Sequence, residues 1–262
     1  MKRFFVFILI NVALVVSYAQ ERHPFINSVC DYFTTDIHDN LYLWADASLN
    51  KYDNTGKFLY QHSNPSLGDI SNVDASFPSK TMVFYQSAGI IQLLDDKLAP
   101  LGNSINLFEH NLNTITLAAM IGTHKIALYD DSNHNLYIID LYANILSTTH
   151  CSFDEDFSPC QMQSFYEETI MMLDTSQGIY TFDILGTFKS KISLPETRAF
   201  TKIGNEIIFL KESEINYYNQ KHLDLKKSGI INPNLKNFRL GTDGYYLQEN
   251  DGKIYKLNVK RE

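Results

Sequence analysis

Eight polar side chains stand on short segments spread along the chain: Thr34, Asp36, Asp74, Ser76, Thr116, Gln163, Lys202 and Arg239. The set holds two carboxylates, two cations, three hydroxyls and one amide. Brought together, such a mixture suits a wet, hydrogen-bonding channel, or a site for a ligand or an ion. Asp36, Asp74 and their neighbours would be the ligands of a hydrolase or lactonase-like reaction run on Ca²⁺ or another bound metal. Carbohydrate or peptidoglycan binding is a third use of the same lining. No histidine cluster or convergent carboxylate group accompanies the eight, so no catalytic residue, resident cofactor or metal site is assigned.

Other catalytic patterns are missing. The eight histidines, at 23, 38, 62, 110, 124, 134, 150 and 222, form no spaced pair of the kind that binds zinc. The sequence contains no Gly-x-Ser-x-Gly elbow, Gly-x-Gly-x-x-Gly fingerprint or Gly-x-x-x-x-Gly-Lys loop.

The segment Cys151-Ser152-Phe153-Asp154-Glu155-Asp156-Phe157-Ser158-Pro159-Cys160 concentrates several chemistries. Asp154, Glu155 and Asp156 offer oxygens to Ca²⁺, but without the alternation and central glycine of a helix–loop–helix calcium loop. Phe153 and Phe157 beside those charges suit a partner-binding loop, and equally suit buried staples. Cys151 and Cys160 are spaced for a disulfide in an oxidising compartment. Spacing alone leaves open whether they bond or pack as small hydrophobes.

An internal repeat organises these residues. An apolar strand is followed by a second strand that ends in Asp or Asn, at positions 53, 95, 140, 183, 219 and 258. The separations are 42, 45, 43, 36 and 39 residues. A period of about 40 with four short strands per unit is the arithmetic of a β-propeller. The predicted fold class is all-β: a six-bladed β-propeller over residues 20–262.

The first strand of each pair is apolar throughout, as in Met82-Val83-Phe84-Tyr85 and Ile170-Met171-Met172-Leu173. That suits strands buried on both faces. The repeated Asp reads as a turn former, accepting backbone N–H groups, with Gly56 and Gly186 supplying the positive φ that follows. Short polar stretches upstream, 31–36, 72–76, 114–118, 161–165, 199–202 and 237–240, should be the innermost strands. They carry the eight polar residues into the centre. The sixth unit ends near Asn258, so the segment around His23–Val29, with Phe25 and Ile26, is expected to supply its missing outer strand. Closure of that kind protects two sheet edges.

Leu67-Gly68-Asp69-Ile70-Ser71-Asn72-Val73-Asp74-Ala75-Ser76-Phe77-Pro78, the following Met82–Tyr85, and Gly178-Ile179-Tyr180-Thr181-Phe182-Asp183-Ile184-Leu185-Gly186 resemble a family of exported propeller proteins of Bacteroidetes-type bacteria. The resemblance runs along nearly the whole chain after the leader. Asp74-Ala75-Ser76-Phe77-Pro78 departs at two positions from that family's usual Asp-Val-Ser-Asn-Pro. The resemblance implies a propeller in the cell envelope and brings no catalytic residue with it.

Location is read from the N-terminus. Lys2 and Arg3 precede a run from Phe4 to Val16 that is apolar except for Asn11, and Ser17-Tyr18-Ala19 offers small residues at the cleavage positions. This is the pattern of a secretory signal peptide over residues 1–19. The run is shorter than the roughly 20 residues that span a bilayer, and no later stretch reaches that length, so no transmembrane segment is expected in the exported chain. The whole chain carries 22 Lys+Arg against 30 Asp+Glu, a net −8, which argues against nucleic-acid binding. Residues 220–262 are locally basic, a polarity that could orient a partner. The expectation is an exported, non-enzymatic scaffold in the periplasm or at the outer membrane. It would bind another envelope protein, as a monomer or as a subunit of a hetero-complex.

Overall fold

The computed structural model describes residues 23–153, 157–165 and 168–259. The signal-peptide reading and Asp154, Glu155 and Asp156 lie outside them.

The chain forms a six-bladed β-propeller of antiparallel sheets. Blade one holds β1 (Tyr32–Thr35), β2 (Leu41–Ala45), β3 (Ser48–Tyr52) and β4 (Phe58–Ser63). Blade two holds β5 (Asn72–Asp74), β6 (Thr81–Tyr85), β7 (Ile90–Leu94) and the short β8 (Ile105–Asn106). Blade three holds β9 (Ile115–Ile121), β10 (Lys125–Asp130), β11 (Asn135–Asp140) and β12 (Ile145–His150). Blade four holds β13 (Gln161–Phe165), β14 (Thr169–Asp174), β15 (Gly178–Asp183) and β16 (Phe188–Ile192). Blade five holds β17 (Thr197–Ile203), β18 (Glu206–Lys211), β19 (Glu214–Asn219) and β20 (Asp224–Ile231). Blade six has three strands, β21 (Leu235–Gly241), β22 (Gly244–Glu249) and β23 (Ile254–Asn258). Each blade runs from inside to outside in chain order, and β21 returns to contact β1.

Side-chain alternation explains why the second strands are apolar at every position. On β14, Ile170 and Met172 pack toward blade three while Met171 and Leu173 pack toward blade five. Successive residues of a strand face opposite sides, so a sheet with a neighbour on each face needs both sets apolar. The core is therefore six layers, one in each gap between adjacent blades.

The turn after each third strand repeats with little variation. Asp53 Oδ1 accepts from the N–H groups of Thr55 and Lys57 at 2.9 and 3.0 Å. Asp95, Asp140 and Asp183 accept from the same relative positions. Gly56 and Gly186 take the left-handed position with φ of 85° and 83°, and Leu98 and Ala143 fill it in the other two turns. Asn219 makes a variant of this turn through Lys221 and His222. Asn258 is the last residue of β23 and forms no such turn among the described residues.

Closure is by one bridge rather than a full strand. Ile26 pairs antiparallel with Ile254, and the N–H groups of Phe25 and Ile26 donate to the Ile254 carbonyl. The chain then crosses to blade one, with Cys30 N–H bonded to the Gly252 carbonyl at 3.0 Å. Pro24 lacks an N–H and cannot extend a ladder. A Cβ on Gly252, itself at φ 78°, would lie 2.7 Å from Val29, so glycine permits the close crossing. Ile26 is 4% exposed and packs with Phe33, Leu41, Leu43 and Tyr246 in the layer between blades six and one.

A chain lacking residues 20–29 should lose that burial, about 1.5–3 kcal/mol for the isoleucine alone, and melt well below the chain from Gln20. Equal melting temperatures in calorimetry would show that the bridge does not hold the ring. A second expectation concerns acid. Hydrogen bonds from Thr55 hold the Asp53 carboxyl below its ordinary 3.8, and those from Asn144 do the same at Asp140. At Asp183 burial pushes upward, but donation from Thr187, Lys189 and Leu185 outweighs it. A carboxyl lowered by folding stabilises fully above its unfolded value, and that stability is lost as pH falls through the folded value. Melting temperature should thus drop as pH falls below about 4. Changing Asp53, Asp140 and Asp183 to Asn, as nature has at 219, should keep the turns and flatten the drop. An acid limb as steep as that of the unchanged chain would rule the turns out as its source.

Candidate functional site

The six inner strands surround a central cavity of about 870 Å³. All eight residues Thr34, Asp36, Asp74, Ser76, Thr116, Gln163, Lys202 and Arg239 line it. The inner strands splay around an axis, and no two of them share a sheet. Their side chains therefore have to serve the gaps between blades as well as the cavity.

Several do so. Asn72 Nδ2 donates to the Ala118 carbonyl at 2.8 Å. Gln161 Nε2 donates to the Phe200 carbonyl and its Oε1 accepts from the Phe200 N–H. Arg198 donates to the Leu235 carbonyl, and Lys236 to that of Asp31 at 2.7 Å. Ser164 Oγ donates to the Met120 carbonyl.

The two carboxylates are also hydrogen-bonded, Asp74 across a gap and Asp36 within its own blade. Asp74 Oδ1 accepts from the Ser76 N–H, and Oδ2 accepts across the gap from the Met120 N–H at 2.9 Å. Asp36, 5% exposed, accepts from the N–H groups of His38 and Asn40, the Asn40 amide and the Tyr42 hydroxyl. These donors take up the four lone-pair sites of Asp36 and two of the four on Asp74. The pair offered in the sequence reading as holders of a funnel Ca²⁺ are a turn former and a tie between blades. No group of three or more metal-ligating side chains occurs among the described residues. Thr116 Oγ1 is buried without a partner among the described residues.

The cavity also carries cations. Arg239 Nη1 donates to the Phe238 carbonyl at 2.8 Å and to Asn237 Oδ1 at 3.1 Å, and Nε reaches Thr34 Oγ1 at 3.5 Å. Its guanidinium carbon lies 5.9 Å from the centre of the Phe33 ring. Burial lowers its pKa to about 10, with Asp74 acting in the opposite sense, so the side chain stays charged at neutral pH. Arg198, Lys202 and Lys236 share the lining. Half-exposed Tyr32 stacks on Trp44 at 5.9 Å, with Lys236 Nζ 4.9 Å above its ring. Arg198, Lys236 and Tyr32 sit where short sequence segments show no periodic signal, and sequence reading missed them as lining residues.

The loop reading changes too. Phe157 is 2% exposed and packs edge-on to Tyr129 in the layer between blades three and four. Phe153 meets Phe157 edge-on and packs at a tilt against Tyr180, Phe182 and Phe188. They are staples of the blade gap rather than a partner surface. Cys151 and Cys160 do not bond and are free thiols, as is Cys30. Cys151 is buried in that same apolar layer, whereas Cys160 lines the central cavity, so their side chains serve different spaces.

No protein-family model matches the chain, and no curated protein matches it. Solved structures do. Virginiamycin B lyase from Staphylococcus aureus superposes with a TM-score of 0.63 at 12% identity, covering 87% of this chain and 80% of that one. The Pan2 WD40 domain of Neurospora crassa gives 0.60 at 10% identity, over 87% and 78%. BBS1N, solved in complex with ARL6DN, gives 0.58 at 15% identity, over 83% and 74%. At such identities the likeness speaks for the fold alone.

Thiol counting checks the cysteines. Burial pushes the Cys30 and Cys151 thiols up to about 12, which suppresses the reactive thiolate at neutral pH. Native protein should release one equivalent of thionitrobenzoate quickly, from exposed Cys160, and three after denaturation without reductant. One equivalent after denaturation would mean that a disulfide had formed.

Proposed function

We propose that the chain is an exported, non-enzymatic propeller that serves the bacterial cell envelope as a protein-interaction scaffold, its partner a periplasmic or outer-membrane protein. The leader pattern of residues 1–19 and the family resemblance support the location. Among the described residues, no helix is long and apolar enough to cross a membrane.

The observation that carries the scaffold reading is an apolar rim on blades three and four. Tyr142 is 81% exposed, and Ile145 and Leu146 follow it on the outer edge strand β12. Ser147 Oγ donates to the Leu185 carbonyl at 2.7 Å, which brings the 56% exposed Leu185 of the neighbouring turn beside that strand. Edge strands are commonly protected by charge. β16 carries Lys189 and Lys191 and β20 carries Lys226 and Lys227, but β12 has neither acid nor lysine. A large exposed apolar group on an uncharged edge marks a contact surface. It replaces Phe153 and Phe157 as the place to look for the partner.

The fold does not choose between scaffold and enzyme, because function resides in sites placed on a fold. The metal-hydrolase alternative would have to draw on Asp36 and Asp74, which already accept hydrogen bonds from the protein.

Photo-crosslinking from position 142 in intact cells, followed by fractionation, tests the proposal. A discrete adduct in the envelope fraction is expected, reduced at least fivefold by Leu185→Glu with folding unchanged. Cytosolic fractionation, or an adduct indifferent to the substitution, would refute it.

A further inference from the structure

Among the described residues the cavity lining carries four cations, Arg198, Lys202, Lys236 and Arg239, and two carboxylates, Asp36 and Asp74, in a chain of net −8. Both carboxylates accept hydrogen bonds from N–H and O–H donors.

Arg239 is the informative member. Among the described residues no carboxylate comes within ion-pair distance of it, and its Nη2 has no hydrogen-bond partner. Arg239 is half-buried at the cavity wall, its charge favoured by Asp74 but held in no ion pair among the described residues, so one edge of the guanidinium is left to meet an acceptor in the cavity. Gln163, across the cavity on β13, likewise makes no side-chain hydrogen bond among the described residues. The aromatic faces of Tyr32 and Phe33 stand beside these cations.

We propose that this cavity is a binding site for a small organic polyanion, recognised through carboxylate or phosphate oxygens by Arg239. The cavity volume of about 870 Å³ falls within the range of small-ligand sites. The charge supplies attraction, and the rings of Tyr32 and Phe33 supply an apolar wall for the ligand's carbon skeleton. The site is independent of the rim on blades three and four, so either can fail without the other.

Calorimetric titration of the chain from Gln20, at constant ionic strength, provides the test. The probes are citrate for carboxylate and glycerol 3-phosphate for phosphate, with glycerol as the uncharged control. At least one anion should bind saturably at one site, and glycerol should not. Arg239→Gln should weaken binding tenfold or more. Gln163→Glu, which keeps Arg239 and adds a negative charge to the cavity, should do the same while circular dichroism and melting stay unchanged. If Arg239→Gln does not fold, Gln163→Glu decides. Absence of saturable binding by either anion, or wild-type affinity in Gln163→Glu, overturns the site.

Discussion

Six sheets set radially around an axis cannot join their inner edges through backbone ladders, and that constraint governs the rest of the molecule. Each gap between blades has to be filled by side chains alone. Apolar residues fill its body as a separate layer, drawn from the facing sides of two sheets. Near the axis, where the strands converge, side-chain amides, cations and carboxylates bond to the backbone of the next blade. Buried backbone groups demand such partners. Gln248 shows the rule at the closing gap: fully buried, its amide donates to the carbonyls of Cys30 and Asp31.

This division of labour limits what the polar lining can do. A residue that ties blades together cannot also hold a metal or move a proton without loosening the ring. Asp74 illustrates the point, since its Oδ2 accepts from the Met120 N–H of the next blade. Arg239 sits among the ties, yet one end of its guanidinium has no hydrogen-bond partner among the described residues. The contrast between hydrogen-bonded carboxylates and that open end marks the cavity's chemical character.

Rigidity follows from the same architecture. Every blade presses on two neighbours, so the ring is held only when all six gaps are filled. At the junction of blades six and one the backbone also takes part, through the Ile26 bridge and the close crossing at Gly252. Loop residues such as Leu107, Phe157 and Leu194 join those layers. The apolar rim around Tyr142 and Leu185 lies on an outer edge strand and the neighbouring turn, away from the residues that hold the ring.

Local pattern determined the blade. Apolar runs such as Met82–Tyr85, the Asp turns at 53, 95, 140 and 183, and glycine at 56 and 186 each act within a few residues, so their physics is legible in order along the chain. The count of six and the polar lining followed from their period. The partners across the gaps were not legible, because they join residues about 40 or more than 200 positions apart whose meeting depends on ring geometry. Hence Phe153 and Phe157, which look like surface aromatics beside acids, turned inward, and Cys151 and Cys160, close in sequence, entered different spaces. The sequence alone settled which residues form blades, through short-range alternation and turn chemistry. Only the closed ring decided which polar groups are consumed in holding it together and which cation is left facing the cavity.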